Sequence, residues 1–204
     1  MKILNLYAGI GGNRKLWSDE HEVWSVESFY DIAQAYKKLF PNDTVLIEDA
    51  HQYLLEFMEQ FDFIWSSPPC PTHSRMVTAK RGWGIKEYPD MRLYQEIIYL
   101  QKFCKVPWVV ENVIPYYEPL IKPTATIDRH HFWSSFDIPP MEIEKRGFSV
   151  TDAPKEVLAR SLGIELPEGT KNQRKLLRNA VRPEVGLHIL NSAFLTPLTN
   201  KGER

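Results

Sequence analysis

The stretch Phe61-Asp62-Phe63-Ile64-Trp65-Ser66-Ser67-Pro68-Pro69-Cys70 constrains the fold more than any other part of the chain. An apolar run of strand character drives into two prolines, which donate nothing to a sheet ladder, so the strand must end there. Cys70 is thereby expected on a loop at a strand's carboxyl end. In an open α/β sheet ligands sit beyond that edge, which makes its thiol a candidate nucleophile. A free cysteine is equally at home as a small buried hydrophobe, and position alone leaves both readings open.

At 204 residues the chain is long enough for one well-buried core, so one domain is expected. The apolar run in Met1-Lys2-Ile3-Leu4-Asn5-Leu6 is short, no small-residue cleavage site follows, and no stretch approaches spanning length; a cytoplasmic protein is expected. Cys70 and Cys104 are too few for a disulfide framework and lack zinc-site spacing, so both are expected reduced, Cys104 in the core and no metal bound. The net charge of −1 argues neither for nor against nucleic acid, but its distribution is uneven. Residues 1–62 carry eleven acidic side chains against five basic, and residues 145–182 nine basic against four acidic. A basic carboxyl-terminal third points to a polyanion on one face, although solvated helix faces produce such runs too.

Along the chain the pattern alternates strand and helix. Lys2 to Tyr7 reads as a buried strand, then Ala8-Gly9-Ile10-Gly11-Gly12 as a turn, then a helix-like run to Trp17. This is the opening of a nucleotide-binding α/β unit. Arg14 stands where a dinucleotide fingerprint has its third glycine, which disfavours nicotinamide and flavin dinucleotides. A second strand, Glu22 to Val26, ends in Glu27, placed to accept from a ribose diol. A helix from Asp31 to Phe40 stops at Pro41-Asn42-Asp43, and a third strand, Thr44 to Ile47, ends in Glu48-Asp49. A single acidic residue at a strand end serves as well for a loop charge or helix cap; the repetition at Tyr7, Glu27 and Asp49 is what favours a ligand.

Tyr53 to Gln60 predicts a helix, and Thr72 to Asp90 a long loop carrying Lys80-Arg81-Gly82-Trp83-Gly84, of the kind used as lids or binding loops. Met91 to Phe103 predicts a helix, and Pro107 to Val110 a strand running into Glu111-Asn112-Val113. Thr124 to Trp133 reads as one strand, residues 136–177 are weakly periodic, and Glu184 to Leu195 is an amphipathic helix begun by Pro183. Arg174, Arg178 and Arg182 recur every fourth residue and would share one helical face.

In this order the motifs resemble those of the cytosine-C5 DNA methyltransferases. The likeness rests on Leu6-Tyr7-Ala8-Gly9-Ile10-Gly11-Gly12, Ser67-Pro68-Pro69-Cys70, Glu111-Asn112-Val113 and Arg178-Asn179-Ala180-Val181-Arg182-Pro183. It implies a Rossmann-like α/β fold that uses S-adenosylmethionine and yields S-adenosylhomocysteine, with residues 1–135 and 178–204 forming the catalytic domain. It implies Cys70 as the thiolate adding to carbon 6 of a flipped cytosine, Glu111 contacting ring nitrogen N3, Asn112 ordering the loop between them, and Arg129 fixing the base. For the donor it implies Tyr7, Gly9, Ile10, Gly11, Glu27, Ser28, Asp49, Ala50, Pro68, Asn179 and Ala180. For double-stranded DNA it implies Ser74, Lys80, Arg81, Arg174 and Arg178, with His131 standing at the second position of the family's Arg-x-Arg motif.

The chain departs from the family at Asn5, where an aspartate is usual, and at Pro71 and His73, where glutamine and phenylalanine are common. Only residues 136–177 remain for target recognition, which predicts a short or relaxed sequence context or recognition shared with a second subunit. Small size with full motifs is similar to phage-encoded members. Three rivals stay open: an amino-group methyltransferase, an RNA cytosine-C5 methyltransferase, and a non-enzymatic DNA-binding relative.

Overall fold

The computed structural model describes residues 1–74 and 88–195. Seven strands form one sheet in the order β3-β2-β1-β4-β5-β7-β6: β1 Lys2–Leu6, β2 Glu22–Val26, β3 Thr44–Leu46, β4 Phe63–Ser66, β5 Trp108–Val113, β6 Ala125–Ile127 and β7 His130–Ser134. The first five run parallel, and β7 lies antiparallel between β5 and β6. Strand order reverses between β1 and β4. Their carboxyl ends, Leu6 and Ser66, therefore border the crevice where this kind of sheet binds ligands.

Strands buried on both faces read as continuous apolar runs, and the side chains sort by parity. Leu4, Leu6, Ile64 and Val110 face one core with helices α2 (Ala50–Phe57) and α3 (Arg92–Phe103), which contribute Leu54, Leu93, Ile97 and Leu100. Ile3, Phe63, Trp65 and Val109 face the other, against helix α6 (Pro183–Leu195) with Val185, Ile189 and Leu190. Helix α1 (Tyr30–Leu39) buries Ala33, Ala35 and Tyr36 and ends before Pro41, as its periodicity and stop signal predict.

Four expectations are corrected. No helix follows the glycine turn: residues 12–16 form turns. The Arg14 guanidinium donates to the Trp17 carbonyl at 2.9 Å and pairs with buried Asp43, while the Trp17 indole donates to Gly186 O across the core. These bonds hold the segment in turns that bring Trp17 inward. Helix α2 begins at Ala50 rather than Tyr53, because Asp49 caps it by accepting from Gln52 N. Thr124 to Trp133 is a hairpin, not one strand: Asp128, at φ 54°, and Arg129 turn the chain between β6 and β7. The arginine periodicity spans two environments, since helix α5 (Gln173–Asn179) carries Arg174 and Arg178 but ends before Arg182.

Residues 136–177 share cores with the rest of the fold. Ile138, Met141 and Ile143 pack beneath α6, whereas helix α4 (Lys155–Leu162) packs Leu158 and Leu162 with Leu177 and Ile10 of the glycine turn. Cys104 packs partly buried against the core that holds α3.

Candidate active site

The glycine turn, the end of β2, the proline loop after β4, the end of β5 and helix α5 converge on one pocket of about 260 Å³. Its lining includes Tyr7, Gly9, Ile10, Glu27, Ser28, Pro68, Cys70, Glu111, Asn112, Asn179 and Ala180. Side chains far apart in sequence meet because parallel strands all end at one sheet edge.

On the glycine side the backbone sets the shape. Gly9 and Gly11 adopt φ 55° and 71°, a region costly for other residues, and a Cβ on Gly11 would lie 2.3 Å from Phe40 Cε2. Glu27 is buried, and its two carboxyl oxygens accept from Gly9 N at 3.1 Å and Phe29 N at 3.0 Å. Burial pushes its pKa up while these amides pull it down. Each oxygen keeps a lone pair for a further donor, so this side of the pocket fits a group carrying vicinal hydroxyls.

On the proline side, Asn112 donates to the Pro68 carbonyl at 2.9 Å and ties the Cys70 loop to β5. His73 N and Ser74 N both donate to the Cys70 carbonyl, closing a tight turn, and Ser74 bridges to Pro115. His73, where the family commonly has phenylalanine, is buried against Tyr94 and Tyr117 and meets the Tyr117 hydroxyl at 2.6 Å. A ring is what that site requires. Cys70 is half-buried, and burial followed by the Glu111 charge pushes its thiol up, with Arg178 and Lys175 opposing.

Glu111 is buried at the carboxyl end of β5, and desolvation pushes its pKa up to about 7 against the pull of Ser67 and Arg129. At neutral pH a large fraction of it keeps its proton, so it acts as a hydrogen-bond donor as well as an acceptor. His130 Nε2 lies 3.5 Å from Glu111 Oε1, and burial pushes that imidazole down to about 3, so the contact is with a neutral ring.

Comparison with known proteins follows from this geometry. The model for C-5 cytosine-specific DNA methylases matches residues 1–113, more than half of the chain. The chain belongs to the C-5 cytosine-specific DNA methylase family. Its cofactor is S-adenosylmethionine. No curated protein sequence matches. Among solved structures, a Spodoptera frugiperda DNMT2 mutant is similar at 27% identity over 55% of this chain and 35% of that one, with a TM-score of 0.41. The chain thus spans about a third of that structure's length. The Entamoeba histolytica methyltransferase EhMeth shares the fold over 95% of this chain and 98% of its own, at 12% identity and a TM-score of 0.54.

The structure brings most, not all, of the sequence-predicted residues together. Asp49 caps α2 from an exposed position and Ala50 is buried in that helix's first turn, neither lining the pocket. Arg129 stands beside the pocket lining and donates to the Arg178 carbonyl at 3.0 Å, joining the hairpin turn to α5. Burial pushes its pKa down, with Asp128 and Glu111 opposing. His131 points to the other face of the sheet, where its ring meets Thr126 Oγ1 at 2.8 Å and packs near Trp133. Arg174 donates to the carbonyls of Ala153 and Thr151, so it braces the preceding segment. Lys80 and Arg81 lie outside the described residues.

Two titratable pocket residues escape sequence reasoning. His130, not His131, meets Glu111, because the turn at Asp128-Arg129 fixes the strand's parity; reading the segment as a hairpin would have found it. Lys175 lines the pocket beside Cys70, and only its place on α5 between the two arginines marks it in the sequence.

Proposed function

We propose that the protein methylates carbon 5 of cytosine in DNA through a transient covalent bond between Cys70 and carbon 6 of a base flipped out of the duplex. The observation that carries this reading is the shared pocket: the Cys70 thiol, the buried Glu111 carboxyl, the glycine turn and buried Glu27 all line it. When bound, S-adenosylmethionine supplies an electrophilic methyl group. Tyr7, Gly9, Ile10, Glu27, Asn179 and Ala180 would hold it, with Gly11, outside the lining, shaping the turn.

Carbon 5 of cytosine is too weak a nucleophile unless electron density is pushed onto it. Addition of the Cys70 thiolate at carbon 6 does this, and a proton shared from Glu111 to N3 neutralises the charge that would otherwise build on the ring. Asn112, bonded to Pro68 O, keeps the sulfur loop in register with Glu111. Arg129, Arg178 and Lys175 add positive charge around the base and its phosphate. Carbon 5 would then take the donor's methyl group, leaving S-adenosylhomocysteine, and loss of the carbon-5 proton to water would expel Cys70 as its thiolate while N3 returns its proton to Glu111. Residues 136–177 act as the reduced recognition region, so the context read is short.

Transfer of tritium from labelled S-adenosylmethionine to duplex DNA and, in parallel, to RNA tests this, with acid hydrolysis to identify the product. The expected product is 5-methylcytosine in DNA. N4-methylcytosine, label in RNA alone, or no label in either would contradict it.

A further inference from the structure

One buried carboxylate takes no part in that chemistry. Glu96 on α3 is 1% exposed, yet its oxygens meet the Tyr7 hydroxyl at 3.0 Å, His51 Nδ1 at 3.3 Å and the Ser66 hydroxyl. A carboxylate withdrawn from water costs several kcal/mol unless oriented donors replace its hydration. Here the donors come from the turn after β1, the first turn of α2 and the last residue of β4.

One of the three, Tyr7, lines the pocket, and Ser66 immediately precedes the loop that carries Cys70. Tyr7 also sits at φ 54°, a left-handed conformation that costs a non-glycine residue about 1 kcal/mol or more. Its ring packs against the core, and the bond from its hydroxyl to Glu96 fixes the ring's orientation there. Strain of this kind persists where surrounding structure over-determines it.

We propose that Glu96 is a positioning residue for the donor: its carboxylate fixes the Tyr7 ring in the pocket wall, and His51, when protonated, supplies the counter-charge. This rests on the placement of the donor in the pocket given above. The groups facing His51 are Glu96 and Arg92 from α3, Asp49 at the α2 cap, and Tyr7. Glu96 first, then Asp49, raise its pKa, opposed by burial and Arg92. The imidazolium therefore persists above the usual histidine range and is lost as pH rises. Donor affinity should be highest while the pair is ionised and fall as His51 releases its proton.

The test is the dissociation constant of S-adenosylhomocysteine, measured by calorimetry without nucleic acid from about pH 6 to 9. Tyr7→Phe, which removes one hydroxyl, is expected to weaken binding about tenfold, with a melting temperature within about 3 °C of the wild type. Glu96→Gln should weaken it at least as much. His51→Gln should flatten the pH dependence that the wild type shows. Unchanged affinity in Tyr7→Phe, or a His51→Gln profile that superimposes on the wild type, overturns the role of Glu96 and leaves the pocket standing. No binding by the wild type overturns the donor's placement and this role with it.

Discussion

Glu111 and Cys70 titrate in opposition. The proposed chemistry needs the carboxyl protonated and the thiol ionised, yet the carboxyl, at about pH 7, loses its proton before the thiol, whose pKa burial raises. The active form then carries one proton for the pair. Its fraction rises with pH up to about 7, stays level while loss of acid offsets gain of thiolate, and falls once both are ionised. We therefore expect kcat/KM of the wild type to level off above about pH 7, whereas Glu111→Gln, which keeps an N–H donor, keeps rising until the thiol ionises. A wild-type profile that rises without a plateau would contradict the shifted carboxyl. His130 sharpens the test: a neutral ring 3.5 Å away leaves Glu111 protonated, and a cation in its place would not. His130→Arg should move the break in the profile down by about one pH unit or more. An unmoved break would show that Glu111 does not feel that position.

At the scale of elements, the pocket depends on how closely α6 approaches the glycine turn. A Cβ on Gly186 would lie 2.2 Å from Asn13 O and 2.6 Å from Asn13 Cα, both backbone atoms that cannot step aside alone. Gly186→Ala is expected to destabilise the fold by at least about 2 kcal/mol in urea unfolding and to weaken S-adenosylhomocysteine binding, because Asn13 lines the pocket. Wild-type stability and affinity would show that this approach is not required. The same packing explains what the sequence revealed and what it hid. The strand ends at Tyr7, Glu27 and Pro68 were legible because Gly, Pro and apolar runs act locally. The missing helix before Trp17 was not, since an arginine reaching Asp43 and an indole reaching α6 are long-range contacts. The hairpin at Asp128-Arg129 was masked for a similar reason: Asp128 alone, with no Gly or Pro beside it, marks the bend, and pairing with β5 fixes the register.

Across the whole molecule, the uneven charge is shared out between bracing and the pocket rim. The basic run that sequence reading assigned to one helical face is divided: Arg174 and Arg182 bind carbonyls of the 136–154 segment, while Lys175 and Arg178 stay near Cys70. If a phosphate backbone crosses this rim, Lys175→Ala should weaken DNA binding uniformly across sequences and reduce the slope of log affinity against log salt by about one. An unchanged slope would place the backbone elsewhere.

The most direct measurement is trapping on duplex DNA carrying 5-fluorocytosine with S-adenosylmethionine present, since fluorine at carbon 5 blocks release of the sulfur. We predict a denaturation-resistant complex whose cross-linked peptide contains Cys70, absent in Cys70→Ala although that variant still binds S-adenosylhomocysteine. A wild-type enzyme that methylates cytosine without such a complex, or a Cys70→Ala variant that still forms it, would contradict the account.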